Sequence, residues 1–372
     1  MGYKRHLGAM HATLLAAIAL AQSNPAALAQ DAGTFFTGRQ VRIIVGTGAG
    51  RGYDTYARLV ARHLGKHVAG NPSFVVENMP GASGIRAINY LYAAAPSDGT
   101  VIATFNNAIP FYQAVGQPGV RFKAEELSWI GSFAQAATVI AVWHAAGVRT
   151  IDDARRVEVV LGATGAAGTK AAYPALLNNT LGTKFKIVTG YEGGNAVTLA
   201  IERGEVQGDG SSRWSSWKAT RPEWVRDRKI IPVVQIGLRK DIELSDVALL
   251  TDHAKSEEQR QMFEFVGAPD SLGQPFAGPP RIPTDRLTIL RRAFDQMLQD
   301  PAFRAEAAMS KLDVDPLAGE ETEQIVGLIV GTPLPIIQKV QAATVVKDVG
   351  KSPDGGSRST SPMSDTQSAP KR

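Results

Sequence analysis

Four short stretches of this chain gather glycine and small hydroxyl residues directly after an apolar run. A backbone so lightly covered can turn its peptide N–H groups toward an anion. The first is Gly46-Thr47-Gly48-Ala49-Gly50-Arg51-Gly52-Tyr53-Asp54, and the second is Met79-Pro80-Gly81-Ala82-Ser83-Gly84. The third is Gly162-Ala163-Thr164-Gly165-Ala166-Ala167-Gly168-Thr169, and the fourth is Tyr191-Glu192-Gly193-Gly194-Asn195. A nucleotide-phosphate loop uses the same physics but demands its own spacing. The glycine expected five residues after Gly46 is Arg51 and five after Gly48 is Tyr53, so the dinucleotide fingerprint fails; no Gly-Lys-Ser/Thr follows to make a Walker loop. What survives is the capture of a small anion such as a carboxylate. A hydrogen bond to a charged group contributes roughly 1.5–3 kcal/mol, and micromolar binding needs about 8 kcal/mol. Several donors from more than one turn are therefore required once ordering costs are subtracted.

The flanking patterns supply elements that can hold such turns. Residues 41–47, 73–79 and 100–106 read as strands, with helices at 54–67 and 85–95 between them. A second series follows, with strands at 157–164 and 184–191 and helices at 169–181 and 195–203. This alternation favours parallel sheets covered by helices, in two α/β lobes. All four turns then follow the carboxyl end of a strand, the edge at which open α/β sheets bind ligands. Beyond them, 230–237 and 262–267 look strand-like, and a Gly/Pro-rich loop leads to a helix over 285–299. A helical stretch at 320–342 is broken by Pro333 and Pro335. From Lys347 the composition turns to Ser, Pro, Gly, Thr and Asp without apolar periodicity, which predicts a disordered tail over 347–372.

At 372 residues, 44% hydrophobic and 20% charged, the chain can bury a core in each of two domains. Lys4 and Arg5 precede an apolar run over 12–21, and Ala27-Leu28-Ala29 offers a small-x-small cleavage site. That order predicts a signal peptide over 1–29, with an apolar run too short to span a bilayer. There is no cysteine, hence neither a disulfide framework nor a lipid-attachment thiol; the mature protein is expected to be free in the periplasm. Lys4, Arg5 and a tail of five basic against three acidic residues carry four of the five net positive charges. The body is close to neutral, which argues against nucleic acid as a partner.

In order and spacing the sequence resembles the substrate-binding receptors of tripartite tricarboxylate transporters, the Bug or TctC-type family. The resemblance is carried by the glycine loop ending in Gly52-Tyr53-Asp54, then Tyr56-Ala57-Arg58-Leu59, Gly70-Asn71-Pro72, Glu77-Asn78-Met79-Pro80-Gly81-Ala82 and Ala95-Pro96-Ser97-Asp98-Gly99-Thr100. Further along it rests on Asn178-Asn179-Thr180-Leu181-Gly182-Thr183-Lys184-Phe185-Lys186, Thr189-Gly190-Tyr191-Glu192-Gly193-Gly194-Asn195 and Glu202-Arg203-Gly204-Glu205-Val206. It covers nearly all of residues 35–343 and implies a two-lobed periplasmic binding protein of type II, a Venus flytrap in which each lobe is a sheet flanked by helices. Lobe 1 would comprise 35–133 plus 234–343, and lobe 2 would comprise 134–233. By the same resemblance, a small carboxylate-containing ligand is held in an interlobe cleft, largely by main-chain groups. Thr47, Gly48, Ala49, Gly50, Arg51, Gly52, Tyr53 and Asp54 would form one wall with Asn78, Gly81, Ala82, Ser83 and Asn106. Thr164, Gly165, Ala166, Gly168 and Thr169 would form the other with Tyr191, Gly193, Gly194, Asn195 and Asp209. The implied protein is a monomer that hands its ligand to integral membrane subunits, with no catalytic residue, cofactor or metal.

Several residues depart from the family pattern or allow two readings. Arg51 stands where the family usually has glycine, and its guanidinium either pairs with a carboxylate or points to solvent. Lys170 adds a cation after the third turn, which would favour anionic ligands. Gln207-Gly208-Asp209-Gly210 departs from the usual turn. Asp54, opening a helix, is a capping carboxylate or a ligand contact. Arg58, Arg62 and Lys66 recur every fourth residue as a solvated face. His63 and His67 have a spacing that can bind metal but more simply form a surface pair. Trp214, Trp217 and Trp224 line a cleft or pack. A secreted hydrolase is the alternative function, although no Gly-x-Ser-x-Gly elbow or His-Glu-x-x-His helix is present.

Overall fold

The computed structural model describes residues 34–50, 52–135, 137–347 and 349–351. The expected signal peptide, Arg51 and residues 352–372 of the expected tail lie outside the described residues. Along the chain, β1 (Gln40–Val45), α1 (Gly52–His63), β2 (Ser73–Asn78), α2 (Ile85–Ala93), β3 (Val101–Thr104), α3 (Ile109–Ala114) and β4 (Ser128–Ser132) come first. Then follow β5 (Thr138–Trp143), α4 (Ile151–Arg156), β6 (Val159–Gly162), α5 (Thr169–Leu181), β7 (Phe185–Thr189) and α6 (Gly194–Glu202). Next are β8 (Gly208–Arg213), α7 (Trp214–Thr220), α8 (Pro222–Arg226), β9 (Ile230–Ile236) and α9 (Glu257–Leu272). The chain continues with β10 (Pro275–Gly278), α10 (Thr284–Gln299), α11 (Pro301–Met309), β11 (Leu317–Ala318), α12 (Gly319–Val330), α13 (Leu334–Ala343) and β12 (Val349–Lys351).

Among the described residues these elements form two compact units, one of residues 34–135 plus Gly267–Pro333, the other Ala137–Val266 plus 334–347 and 349–351. The first holds a mixed six-stranded sheet in the order β11-β4-β10-β3-β1-β2. There β1 runs parallel to both β2 and β3, while β10 is antiparallel to β3 and β4. The second sheet has the order β12-β7-β6-β8-β5-β9, with β6 parallel to β7 and β8 and β5 antiparallel to β8 and β9. Both units thus repeat one device. The chain leaves a central strand for one neighbour and then crosses to the other side of that strand, around β1 in one unit and β6 in the other. Such reversals in strand order open a crevice beyond the carboxyl ends.

Each sheet is held by its own core. In the first unit, Ile43 and Val45 of β1 pack with Leu59 and Val60 of α1 and with Phe294 and Met297 of α10, all buried. Tyr56, Phe133 and Phe303 extend this core, with ring centroids 4.5 Å apart for Tyr56 and Phe133 and 5.2 Å for Phe133 and Phe303. In the second unit Trp214, Trp217 and Trp224 are buried with Val139, Val197 and Ile201, so the three tryptophans are core residues.

The sequence reading needs three corrections. Residues 262–267 are helical, part of α9. Met262, Phe263, Phe265 and Val266 are buried there, while Arg260 bridges Glu257 and Glu264 one turn to either side; such spacing supports a helix against β-prone side chains. The expected return of lobe 1 at residue 234 also differs. β9 is the edge strand of the second sheet, and 237–266 and 334–343 group with that unit. Finally, residues 349–351 of the expected disordered tail form β12, with Val349 opposite Ile187 and Lys351 opposite Thr189. Val346 helps to anchor it by packing against Ala163, Ala171, Ala175 and Ile187.

Candidate functional site

In the first unit the described candidate residues stand at or beyond the carboxyl ends of β1, β2 and β3. Gly46 marks where these turns crowd together. A Cβ there would lie 3.3 Å from both the Gly84 Cα and the Phe105 Cβ, so a side chain would force the turns apart. The tip is different: a Cβ on Gly48, Gly50 or Gly52 would meet nothing within 4 Å, which leaves the main chain open to a guest. Buried Asp54 ties the loop together. Its Oδ2 accepts from the Gly50 N–H at 2.8 Å and Arg58 Nε at 2.9 Å, and its Oδ1 accepts from Asn78 Nδ2 at 2.9 Å. The same Asn78 amide donates to the Thr47 carbonyl at 3.0 Å. Asp54 and Asn78 therefore shape the loop through contacts inside it, and Arg58, exposed as expected, is committed to this network. The Thr47 Oγ1 is buried with no partner among the described residues.

Burial alone pushes the Asp54 carboxyl up, but bonds from Arg58, the Gly50 N–H and Asn78 together hold it below the usual carboxylate range. A depressed folded pKa contributes stability above the unfolded value of about 3.9 and loses it as pH falls through the folded value. Asp54→Asn should therefore be less stable than the parent at pH 7 and lose less further stability on acidification. Urea titrations over roughly pH 2–6 measure this; parallel acid limbs for the two proteins would count against it.

The turn after β2 is conformationally unusual. Gly81, Ala82, Ser83 and Gly84 have φ of 141°, 46°, 54° and 97°, and α2 begins immediately afterwards. Ala82 and Ser83 carry a Cβ in the left-handed region, a strain that tends to persist where surrounding structure and function require it. Beyond β3, the Asn106 Oδ1 accepts from the Ala108 N–H at 2.9 Å. Tyr53 reaches across from α1, where its hydroxyl accepts from the Asn107 N–H at 3.1 Å.

In the second unit, Thr164, Gly165, Ala166, Gly168 and Thr169 follow β6, and Tyr191, Gly193, Gly194 and Asn195 follow β7. The two turns are stitched at their base by the Tyr191 N–H donating to the Ala163 carbonyl at 3.4 Å. They open α5 and α6, neither of which has a side-chain cap or an acidic residue in its first turn. Free N–H groups and the positive end of the helix dipole favour an anion at such termini. A Cβ on Gly165, Gly193 or Gly194 would also meet nothing within 4 Å.

Asp209, in β8, is 1% exposed and fully engaged within the unit. The Lys170 ammonium donates to its Oδ1 at 2.6 Å and Oδ2 at 2.5 Å. The Ser211 N–H and Ser212 Oγ each donate to it at 2.9 Å. Lys170 also reaches the Ser211 carbonyl at 2.8 Å. The expectation that Lys170 adds a free cation is thus corrected: its charge is balanced by Asp209, and the pair clamps the first turn of α5 to β8.

A cavity of about 370 Å³ lies beside this clamp, lined by Gly194 and Asn195 together with Lys170, Ser211, Ser212 and Arg213. The sequence reading missed the Ser211-Ser212-Arg213 wall, although Gly-Asp-Gly-Ser-Ser repeats the glycine-and-hydroxyl composition of the other turns. A larger cavity of about 480 Å³ is lined by Lys184, Lys186 and Lys347; it lies at the amino end of β7, away from these turns. His63 and His67 bind different partners, Glu306 at 2.7 Å and Asp300 at 3.1 Å, and so secure α11.

Two sheets flanked by helices, with open turns beyond the carboxyl ends of their parallel strands, make the fold of the periplasmic binding proteins. Among solved structures it is that of a TctC solute binding protein from Polaromonas, with TM-score 0.65, 17% identity, and 81% of this chain and 99% of that one covered. An R. palustris protein solved with adipate gives TM-score 0.53 and 19% identity over 82% of this chain and 97% of that one. The periplasmic binding protein BugD gives TM-score 0.53 and 15% identity over 85% and 100%. In sequence, a UPF0065 protein of Bordetella bronchiseptica is 28% identical over 181 residues, 48% of this chain. The chain spans about half the length of that curated relative, 52%. No family model matches the chain.

Proposed function

We propose that this protein is a periplasmic solute-binding receptor of the Bug or TctC type. It captures a small carboxylate-containing solute, without chemical turnover, and presents it as a monomer to the integral membrane subunits of a tripartite tricarboxylate transporter. The observation that carries this reading is the pair of uncapped, acid-free helix N-termini of α5 and α6 at the end of two adjacent parallel strands. A carboxylate there meets main-chain donors, with no acidic residue in the first turn of either helix. In the first unit, taken by itself, the main chain at Gly48, Gly50 and Gly52 is likewise open to a guest. The adipate bound to the similar R. palustris protein supports the ligand class. Export by a cleavable signal peptide over 1–29 is motivated by the order of basic, apolar and small residues there.

Thermal denaturation against di- and tricarboxylates, aromatic acids and acidic amino acids, each beside its neutral amide, tests the reading. A ligand present at a hundred times its dissociation constant should stabilise the protein by about 2.7 kcal/mol, and the amide should not. Uniform indifference to every carboxylate would reject it, and product formed from ester, glycoside or phosphate substrates would instead support a hydrolase.

A further inference from the structure

The cavity beside the Lys170–Asp209 clamp carries a charge that the main-chain turns do not explain. Its volume, about 370 Å³, is within the range of small-molecule sites. Two cations and no carboxylate line it. Lys170 is neutralised by Asp209 at 2.5 Å. Arg213, at the end of β8, is half-buried, and its side chain makes no hydrogen bond or ion pair among the described residues. Its guanidinium is therefore the uncompensated charge of the cavity, with Ser211, Ser212 and the N-terminus of α6 sharing the wall. A planar fork of donors in such a setting is suited to a carboxylate or another planar oxyanion.

We propose that Arg213 is the specificity-determining residue that selects an anionic group on the part of the ligand lying in this cavity. The inference rests on the carboxylate-receptor reading and narrows it. The turns hold one carboxylate through peptide groups, which any carboxylate satisfies, and Arg213 distinguishes a ligand with a second negative charge from one ending in an apolar or neutral group. Side-chain charge discriminates where main-chain donors do not, because a half-buried guanidinium without a partner among the described residues gains far more from an anion than from a neutral or apolar group.

The test measures dissociation constants by calorimetry for three length-matched pairs: succinate with butyrate, glutarate with pentanoate, and adipate with hexanoate. The parent protein should prefer the dianion at least tenfold in one pair or more. Arg213→Gln should reduce that ratio at least tenfold, and Arg213→Lys should retain part of it. Unliganded melting temperatures identify a variant that is merely misfolded. An unchanged ratio in Arg213→Gln, or no preference in the parent, overturns the assignment while leaving the receptor reading intact. If no acid of any pair binds the parent, this inference is overturned, while the receptor reading is decided separately by the wider carboxylate panel.

Discussion

Asp209→Ala is expected to destabilise the second unit by about 3 kcal/mol, a loss of roughly 6–12 °C in its melting temperature. The carboxylate is 1% exposed, and its Lys170 partner keeps only 15% of its side chain in contact with solvent. Removing Asp209 strands an ammonium with the Ser211 carbonyl and Ser212 hydroxyl as its remaining acceptors. Breaking one side of such a pair is costly because the other charge is left desolvated, whereas replacing both sides by apolar groups is often neutral or better. Lys170→Met with Asp209→Leu should therefore recover most of the loss. Calorimetric melting of the parent, Lys170→Met, Asp209→Leu and the double variant measures the coupling. A single variant within about 0.5 kcal/mol of the parent would show that this clamp contributes little.

Gly210→Ala is expected to be comparably damaging through packing. A Cβ at Gly210 would sit 2.0 Å from the Lys170 carbonyl oxygen and 2.6 Å from Pro174 Cγ. Pro174 lies inside α5 and has no N–H to offer the carbonyl four residues earlier, so this backbone of α5 rests directly on β8. Rigid neighbours of this kind cannot yield as a flexible side chain does. The first turn of α5 must move, at a cost of about 1–3 kcal/mol or more. The same movement pulls Lys170 from Asp209 and displaces Thr169, so carboxylate affinity should fall together with stability. Because both substitutions act on one clamp, Gly210→Ala combined with Asp209→Ala should cost less than the two losses added. Native-like melting and affinity in Gly210→Ala would mean that α5 can settle elsewhere on β8.

The strands best legible in the sequence were those with continuous apolar runs, such as Ile43–Val45 in β1 and the run ending at Leu161 in β6. A strand covered by helices on both faces needs such runs. β8 was illegible for the opposite reason. Gly-Asp-Gly-Ser-Ser-Arg has no hydrophobic period, yet it occupies the middle of the second sheet, because Asp209 is satisfied by Lys170 and Gly208 and Gly210 admit backbone neighbours. In α9, the β-prone Phe263, Phe265 and Val266 suggested a strand. Burial along one helix and the Arg260 pairs decided otherwise.

By itself, the sequence determined the two α/β series, the four glycine-rich turns and the placement of each turn after a strand. Local composition is enough for those features, since apolar runs, helical periods and glycine act over a few neighbouring residues. Tertiary structure alone decided which charges remain free. Lys170 and Asp209 are 39 positions apart, and only the pairing of β6 with β8 and the packing of α5 on β8 bring them together. That contact neutralises the cation the sequence advertised and leaves Arg213, which the sequence did not single out, as the charge facing the cavity. Coulomb interactions depend on distance through space and on exclusion of water, and neither quantity is encoded in spacing along a chain.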